Sequence, residues 1–448
     1  MAAMDLEQLT LNERLVAEQA VLNLRVLSAA CDAAADGTVL GIAEQLAVKQ
    51  GREATRRVLE ITLQSQEADL EKKSASSRTC GCGLTKAHHG RKARQVLTQA
   101  GEVRVSRVYR RCVKCDNGGF ALDERLGIEG RYSPQAQRLI SLAAASWSYD
   151  ISSERLKELC GLSVSDTTVR EIAQETGAKM ATWQRTEPVA VQEFCHATGD
   201  IEFTTDGTSV NTTEGWREVK LGIFSKRDRA EPATPDEWGD RKLPKPKTCV
   251  AFAAIEASEQ FGARWKVWAK RLQIHEVSAV TVLADGAKWI WEETRLNLTG
   301  ARGVLDIYHA LEAISDTSKK LFGDSTPAAT AWTDTLRTTL LERGWDGFDE
   351  RWHETRDTFP ADAPQRTRLD ELRNYLGNHV SHLNYAERLR EGRSIGSGQI
   401  EGACKNLIGR RLKQTAARWR VRRLNRMASL CSIMYSRQWN AYWSQHAA

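Results

Sequence analysis

The chain has 448 residues, 41% of them apolar, and a net charge of +6. This length exceeds what one ordinary core organises and predicts two to four structural units, while the apolar share excludes a largely disordered protein. No apolar run approaches the roughly 18–20 residues that span a bilayer, and the acidic start MAAMDLEQLT lacks the features of a signal peptide. We therefore expect a cytoplasmic protein without a membrane partner, whose ten cysteines serve as thiols or metal ligands rather than disulfides.

The first 78 residues are predicted to form an N-terminal helical region. Leu11, Leu15, Leu22 and Val26 recur at helical spacing. The run KKSASSRT then interrupts the pattern and is typical of a linker.

Residues 79–130 are predicted to form a zinc-ribbon-like, DNA-binding module. Alternation from Val96 to Tyr109 predicts a hairpin that turns at QAGE. Four cysteines flank the hairpin, as the thiolates of a tetrahedral, structural zinc site would: Cys80, Cys82, Cys112 and Cys115. The first pair is CxC, one residue shorter than the usual CxxC, which leaves His88 and His89 as substitute ligands. The alternative is a set of buried or free thiols.

Residues 131–195 are predicted to be helical, with a candidate helix-turn-helix. Two short helices are joined by a turn at Gly161, and Ser165 or Asp166 can cap the second helix. Near its start lie the candidate DNA contacts Thr167, Thr168 and Arg170. Any αα-hairpin produces the same pattern, so a structural role remains the alternative.

From residue 196 the pattern changes to strands. DIEFTTDGTSV, WREVKLGIF and TCVAFAAIEA predict a three-strand meander. Alternating helix and strand patterns follow up to residue 325, which together predict a mixed sheet covered by helices. Residues 326–393 have only helical patterns, and residues 394–448 open at GSGQIEG into a last long helix. The fold class is therefore α+β and multidomain.

Three acids have positions that suit metal binding. Asp206 and Asp285 each end a predicted strand and precede a glycine, and Glu401 follows the glycines of GSGQIEG. If the two strands are adjacent and the last helix crosses their ends, the carboxylates share one patch and favour divalent cations. Two such ions can activate a water or a 3′-hydroxyl at a phosphodiester. The alternative for each acid alone is a turn-forming Asp-Gly or a helix-capping Glu.

Basic residues cluster in two segments. Lys86–Lys114 holds nine Lys or Arg and one acid, and Lys405–Arg426 holds nine and no acid. Such segments favour a polyanion partner, although a solvated helix face has the same composition. In the second segment the predicted contacts to nucleic acid are Lys405, Arg410, Arg411, Lys413, Arg418, Trp419 and Arg420. Trp419 is predicted either to stack on a base or to anchor the core.

The sequence blocks FTTDGTSVNTTEGWREVKLGIF, LADGAKWIW, VLDIYHALEAI and IGSGQIEGACKNLIGRRLKQTAARW occur in this order between residues 200 and 419. They resemble bacterial insertion-sequence transposases of the Kra type, within the Mutator-like DDE transposases. The cysteine region with LDERLGI after it is also similar to that family.

The resemblance implies an RNase H-like α/β catalytic core with an all-helical insertion. Asp206, Asp285 and Glu401 would be the catalytic triad that binds two Mg²⁺ ions, with Mn²⁺ as a substitute. Asp306 and His309 would form the accessory Asp-x-x-His motif. The partners would be double-stranded DNA, namely the element's terminal inverted repeats and the target, in the bacterial nucleoid, and joining two ends would require at least a homodimer.

Two other functions are compatible with these residues. One is a related metal-dependent nuclease or resolvase that cleaves without joining. The other is a non-catalytic, zinc-containing DNA-binding protein derived from a transposase, although all three acids are present.

Overall fold

The computed structural model describes residues 9–73 and 79–446. It separates into two compact units, the first comprising the described residues up to Ala144 and Tyr149–Val169, and the second Ala145–Ser148 and Arg170–His446. This division is coarser than the six segments predicted from the sequence. Of the predicted linker KKSASSRT, residues 74–78 lie outside the described residues, whereas its first two lysines are still helical.

Two helices open the first unit, α1 (Leu11–Asp32) and α2 (Val39–Lys73). A capping box starts α1: the Thr10 hydroxyl accepts from the Glu13 backbone N–H, and the Glu13 carboxylate accepts from the Thr10 backbone N–H. The helices lie where the apolar spacing predicts them. No residue of α1 is buried, however, so its apolar positions are not part of a core in this chain.

The cysteine region forms a three-stranded antiparallel sheet: β1 (Ala87–Thr98), β2 (Gly101–Arg111) and β3 (Gly118–Gly119). β1 and β2 are the predicted hairpin. Side chains of α2 accept hydrogen bonds from backbone N–H groups of β2, in the pairs Glu60–Arg104, Gln64–Ser106 and Glu67–Val108. One face of the helix thereby satisfies polar groups that an open sheet edge would leave unpaired.

The candidate helix-turn-helix follows α3 (Ala121–Leu126) and α4 (Pro134–Ser146), and its helices are α5 (Tyr149–Cys160) and α6 (Asp166–Thr186). Gly161 ends α5 with a left-handed φ of 68°. The Ser165 hydroxyl accepts from the Thr168 N–H and caps α6, as predicted. The second helix is not short: it has 21 residues, and Met180 and Trp183 near its end are buried in a hydrophobic core.

The second unit is built on a five-stranded mixed sheet: β4 (Asp200–Thr212), β5 (Gly215–Arg227), β6 (Thr248–Ala254), β7 (Val280–Ala284) and β8 (Arg302–Leu305). The strand order is β6-β5-β4-β7-β8. β4, β5 and β6 are antiparallel neighbours, as the predicted meander requires. β4, β7 and β8 are parallel, so their carboxyl ends meet at one edge.

Helices cover both faces of this sheet: α7 (Val189–His196), α8 (Ser258–Arg271), α9 (Lys288–Asn297) and α10 (Ile307–Phe322). Val282 of β7 packs with Trp265 of α8, whereas the next residue, Leu283, belongs to the core formed with α10. Successive side chains of a strand point to opposite faces of the sheet, so neighbouring residues of β7 pack in two different hydrophobic cores.

Residues 326–393 form helices and turns, as predicted: α11 (Pro327–Arg356), α12 (Pro364–Gly377), the 3-10 turn Val380–His382 and α13 (Tyr385–Arg390). α11 is kinked at Gly344, which has a left-handed φ of 59°. Leu340, Leu372 and Leu389 pack in the same core as Ile314 of α10. Residues 326–393, called the helical insertion below, therefore share the hydrophobic core on one face of the sheet.

The end of the chain is formed by α14 (Gly398–Ala403), the π-helical turn Cys404–Gly409, α15 (Arg410–Leu412), α16 (Val421–Tyr435) and α17 (Trp439–His446). The prediction of one long helix after GSGQIEG is therefore wrong. Lys413–Arg420 lies between helices, where Ala416 has a φ of 61°. Trp419 there pairs with the backbone of Asn211 and Thr213, and this tertiary contact prevails over helix propensity.

Within the described ranges, no helix combines the length and apolar character needed to cross a membrane.

Candidate metal and nucleic-acid sites

Three aspartates form a row at the carboxyl edge of the parallel strands. Thr204 pairs with Leu283, and Ala284 pairs with Leu305. Continuing this register places Asp206 beside Asp285 and Asp285 beside Asp306, on strands about 4.8 Å apart.

The predicted neighbourhood of the first two aspartates is therefore present. Asp206 does not end its strand, however, because β4 continues to Thr212 in its pairing with β5. What ends near Asp206 is the pairing of β4 with β7.

Asp206 and Asp285 are half-buried. Burial raises the pKa of Asp206, the Gly207 N–H opposes that effect at 2.6 Å, and the charge of Asp285 raises the pKa further. The Asp285 Oδ1 atom accepts from the Ala287 N–H at 3.0 Å. Two neighbouring carboxylates, of which burial disfavours the charge of Asp206, are suited to a divalent cation that would stabilise both.

Glu401 lies near this row on α14. One ligand atom each from Glu401, Asp306 and His309 lies within 4.8 Å of the other two. The next helical turn touches β4, because the Cys404 Sγ atom lies 3.5 Å from the Asp206 Oδ2 atom. Residues about 200 positions apart in the sequence thus meet at one sheet edge.

Asp306 is fully buried and caps α10. Its Oδ1 atom accepts from the Tyr308 N–H at 2.7 Å, and its Oδ2 atom accepts from the Ser397 N–H at 2.6 Å and from the Ser397 hydroxyl. Burial raises the pKa of Asp306, but His309 and these donors outweigh it and keep that pKa below its usual value. Asp306 therefore holds the start of α10 against the connection between α13 and α14.

His309 faces the acids as a cation. Its Nδ1 atom lies 3.9 Å from the Asp306 Oδ1 atom, too far for a hydrogen bond, so the contact is an ion pair. The Asp306 carboxylate raises the pKa of His309 to about 9 against the opposing effect of burial, and the Asp285 charge adds to the rise. An imidazolium at this edge is suited to contact a phosphate oxygen.

The acids fit magnesium by ligand type, since Mg²⁺ prefers oxygen ligands at about 2.1 Å. The oxygens of Asp206, Asp285 and Glu401 do not all lie within 4.8 Å of one another. One ion could not take all three directly in this arrangement, so metal binding by all three acids would require a second ion, as in two-metal phosphodiester sites. The cluster of Asp306, His309 and Glu401 fits Mg²⁺ less well. The Asp306 Oδ2 atom already accepts two hydrogen bonds from Ser397, and the raised pKa of His309 favours the imidazolium, which cannot coordinate a metal.

The four predicted cysteines come together in the first unit, with two buried and two exposed. The Cys80 Sγ atom lies 3.3 Å from that of Cys115, and the Cys82 Sγ atom lies 3.6 Å from that of Cys112. Zn–S bonds of about 2.3 Å in a tetrahedron place sulfurs roughly 3.8 Å apart. The cluster could therefore hold a zinc ion, and the short CxC spacing does not prevent it.

Backbone N–H groups favour the metal-binding thiolate form of one of these cysteines. The N–H groups of Cys115 and Lys114 lower the pKa of Cys112 to about 6, which favours the thiolate that zinc binds. His88 and His89 are exposed on β1 and are not members of the cluster.

The basic segment has an exposed part and a buried part. The exposed members are Lys405, Arg410, Lys413, Arg418 and Arg420. Arg411 and Trp419 are only 3% and 6% exposed, and the Arg411 guanidinium lies 5.0 Å from the Trp419 ring centroid. The burial contradicts the prediction that Arg411 contacts DNA and favours the core alternative for Trp419, whose indole N–H donates to the Leu412 carbonyl at 3.0 Å.

Sequence reasoning did not single out the arginines further along. Arg422, Arg423 and Arg426 of α16 line a cavity of about 540 Å³ together with Arg170 and Lys179 of α6. The helical spacing of these arginines could have predicted that they share one face of a helix. Their position next to α6 could not be predicted, because about 250 residues separate the two helices.

No family model matches the chain, and a search of curated proteins finds none that matches it.

Proposed function

We propose that this chain is a DNA transposase that binds the terminal inverted repeats of an insertion sequence, cleaves its ends and joins them to target DNA. Two observations support the proposal: the strand register places Asp206 beside Asp285, and Glu401 lies within a cluster with Asp306 and the cation His309 at the same sheet edge. A row of acids needs cations, and a phosphodiester brought there with divalent metal would satisfy that need.

The sheet supports an RNase H-like core for this chemistry. Its strand order, numbered within the sheet, is 3-2-1-4-5, with the second strand antiparallel to its neighbours. That arrangement is the one expected of such a core. The helical segment between Asp285 and Glu401 packs on the sheet face beside the acids, as the proposed insertion should.

In this proposal, separate residues bind the metal ions, contact the scissile phosphate and hold the DNA backbone. Asp206, Asp285 and Glu401 hold the metal ions, which when bound polarise the phosphodiester and activate the attacking hydroxyl. His309 contacts a non-bridging phosphate oxygen, and Asp306 fixes the orientation of its imidazole. Lys413 lies beside this edge, since its Nζ atom lies 2.5 Å from the Thr208 hydroxyl of β4, and would hold the DNA backbone.

Strand-transfer assays test this proposal against the nuclease alternative. The full chain would be incubated with Mg²⁺, a supercoiled plasmid and labelled, pre-cut DNA ends taken from the two flanks of its gene. A transposase joins the labelled 3′ ends to the plasmid, while ends of scrambled sequence remain free. Cleavage of uncut ends without any joining would instead identify a nuclease, and neither cleavage nor joining would favour the non-catalytic DNA-binding protein.

A further inference from the structure

A cavity of about 640 Å³ lies beside Asp285, between α9 and the helical insertion. Aromatic rings form much of its lining: Trp291 from α9, and Tyr375, His379 and His382 from the insertion. The Trp291 and His382 rings are stacked, with centroids 4.0 Å apart and planes 20° apart. Tyr375 and His379 are a further pair, with centroids 5.6 Å apart.

The cavity is tied to the row of acids. The Trp291 indole N–H donates to the backbone carbonyl of Asp285 at 2.8 Å. The Tyr375 ring lies against Gly286, the residue that follows Asp285. A DNA strand with its phosphate at Asp285 would therefore pass the mouth of this cavity.

Two glycines keep the rings in place. A Cβ atom on Gly286 would collide with the Tyr375 ring, and one on Gly303 would collide with both the His382 and the Trp291 rings. Any larger residue at these positions must displace an aromatic side chain. The sequence therefore leaves room for the ring cluster at the backbone itself.

The interior of the cavity is neutral and its rim is charged. Burial lowers the pKa of His382 to about 4, so this ring is uncharged at neutral pH. The rim carries Lys288, Glu292 and Arg295, which are exposed and have a net positive charge. The Asn378 carboxamide, which can donate and accept hydrogen bonds, also lines the cavity. Such a site suits a flat, uncharged, hydrogen-bonding ring inside and phosphates outside.

We propose that this cavity binds one unpaired nucleobase of the DNA strand that is cut at the acids. The inference rests on the proposed function and adds to it a base-binding pocket next to the metal-binding acids. Extruding a base from a duplex costs the free energy of its pairing and stacking. Stacking of the extruded base on aromatic side chains offsets this cost with little sequence preference.

Binding of two DNA duplexes to the full chain without added Mg²⁺ tests the pocket. One duplex is fully paired and has the sequence of the gene's flanks, and the other is identical except for a single bulged 2-aminopurine, whose fluorescence reports stacking. We expect the bulged duplex to bind about tenfold tighter, with quenched fluorescence. Tyr375→Leu removes an aromatic ring and should abolish this preference, whereas the matched control Tyr375→Phe retains the ring and the preference.

The outcomes separate the pocket from the proposed function. Equal affinity of wild-type protein for both duplexes, without quenching, would refute the pocket and leave the transposase proposal standing. Failure to bind either duplex would refute the proposed function and the pocket with it. A preference that persists in a folded Tyr375→Leu variant, checked by its unchanged melting temperature, and in His382→Leu would show that the bulge binds elsewhere.

Discussion

Ser397 holds the fully buried carboxylate of Asp306 with both its backbone N–H and its hydroxyl. Ser397→Ala removes one donor from a buried charge, so we expect a loss of about 1–3 kcal/mol in the free energy of unfolding, measured by urea denaturation. The matched control is Ser444→Ala, at an exposed hydroxyl that bonds only its own helix, where a change within about 0.5 kcal/mol is expected. Equal stability of both variants would mean that Ser397 does not hold Asp306.

His382 gives stability a defined dependence on pH. Burial lowers its pKa to about 4, below the unfolded value near 6.5, so the unfolded chain binds a proton first as pH falls. The neutral ring's contribution is fully present above about pH 6.5 and is lost as pH falls towards 4. His382→Phe should flatten the fall in melting temperature across this window. An unchanged slope between pH 7 and pH 4 would contradict the burial of this imidazole.

The hairpin of the first unit is the element whose stability should depend on metal. Purified protein is expected to carry about one zinc per chain, because the four sulfurs have tetrahedral spacing. Cys112→Ser should lose the zinc and the protease resistance of residues 79–130, since metal binding supplies folding free energy there. Cys160→Ser, outside the cluster, should retain both. Zinc-free wild-type protein with an intact hairpin would contradict this.

The basic segment offers two adjacent arginines with opposite surroundings. Arg410 is exposed, so Arg410→Ala should weaken DNA binding and reduce the slope of log K against log salt by about one, without changing the melting temperature. Arg411 is buried over Trp419, so Arg411→Ala should cost about 2 kcal/mol of stability. Salt titrations and thermal melts of the two variants check both expectations. The reverse result would mean that the helix is rotated about its axis.

Local patterns predicted the elements better than their ends. The apolar run VTVLA and the alternation of DIEFTTDGTSV correspond to β7 and the start of β4. The position of Asp206 was predicted wrongly because β4 loses one partner there and keeps the other, which no local signal reveals. The break after α15 was missed because it depends on Trp419 pairing with a strand about 200 residues away.

At the scale of the molecule, the candidate site depends on long-range order. Asp206, Asp285 and Glu401 could be singled out from Asp-Gly pairs and a glycine-rich turn. The row that includes Asp306 could not, because it requires the register of three strands. The aromatic cavity could not be predicted from the sequence either, because Tyr375 and His382 lie about 90 residues after Asp285.

The helical insertion is structurally part of the second unit's core. The Tyr385 hydroxyl donates to the Leu305 carbonyl at 2.9 Å, and the insertion's leucines pack with α10. The insertion thereby fixes the strand end from which Asp306 follows. It also approaches the acids, because the Tyr375 ring lies against Gly286, the residue that follows Asp285.

The central claim is that Asp206, Asp285 and Glu401 hold metal for phosphodiester chemistry. The most direct measurement is nicking of labelled ends from the gene's flanks with Mg²⁺, with DNA binding recorded in parallel. Glu401→Gln and Asp206→Asn should bind these ends at least as tightly as wild type but nick them about a thousandfold more slowly or worse, while Glu387→Gln, an exposed acid on α13, should nick normally. Combining the two inactive substitutions should add little, because the acids act as a unit. Substantial nicking by folded Glu401→Gln protein would contradict the account.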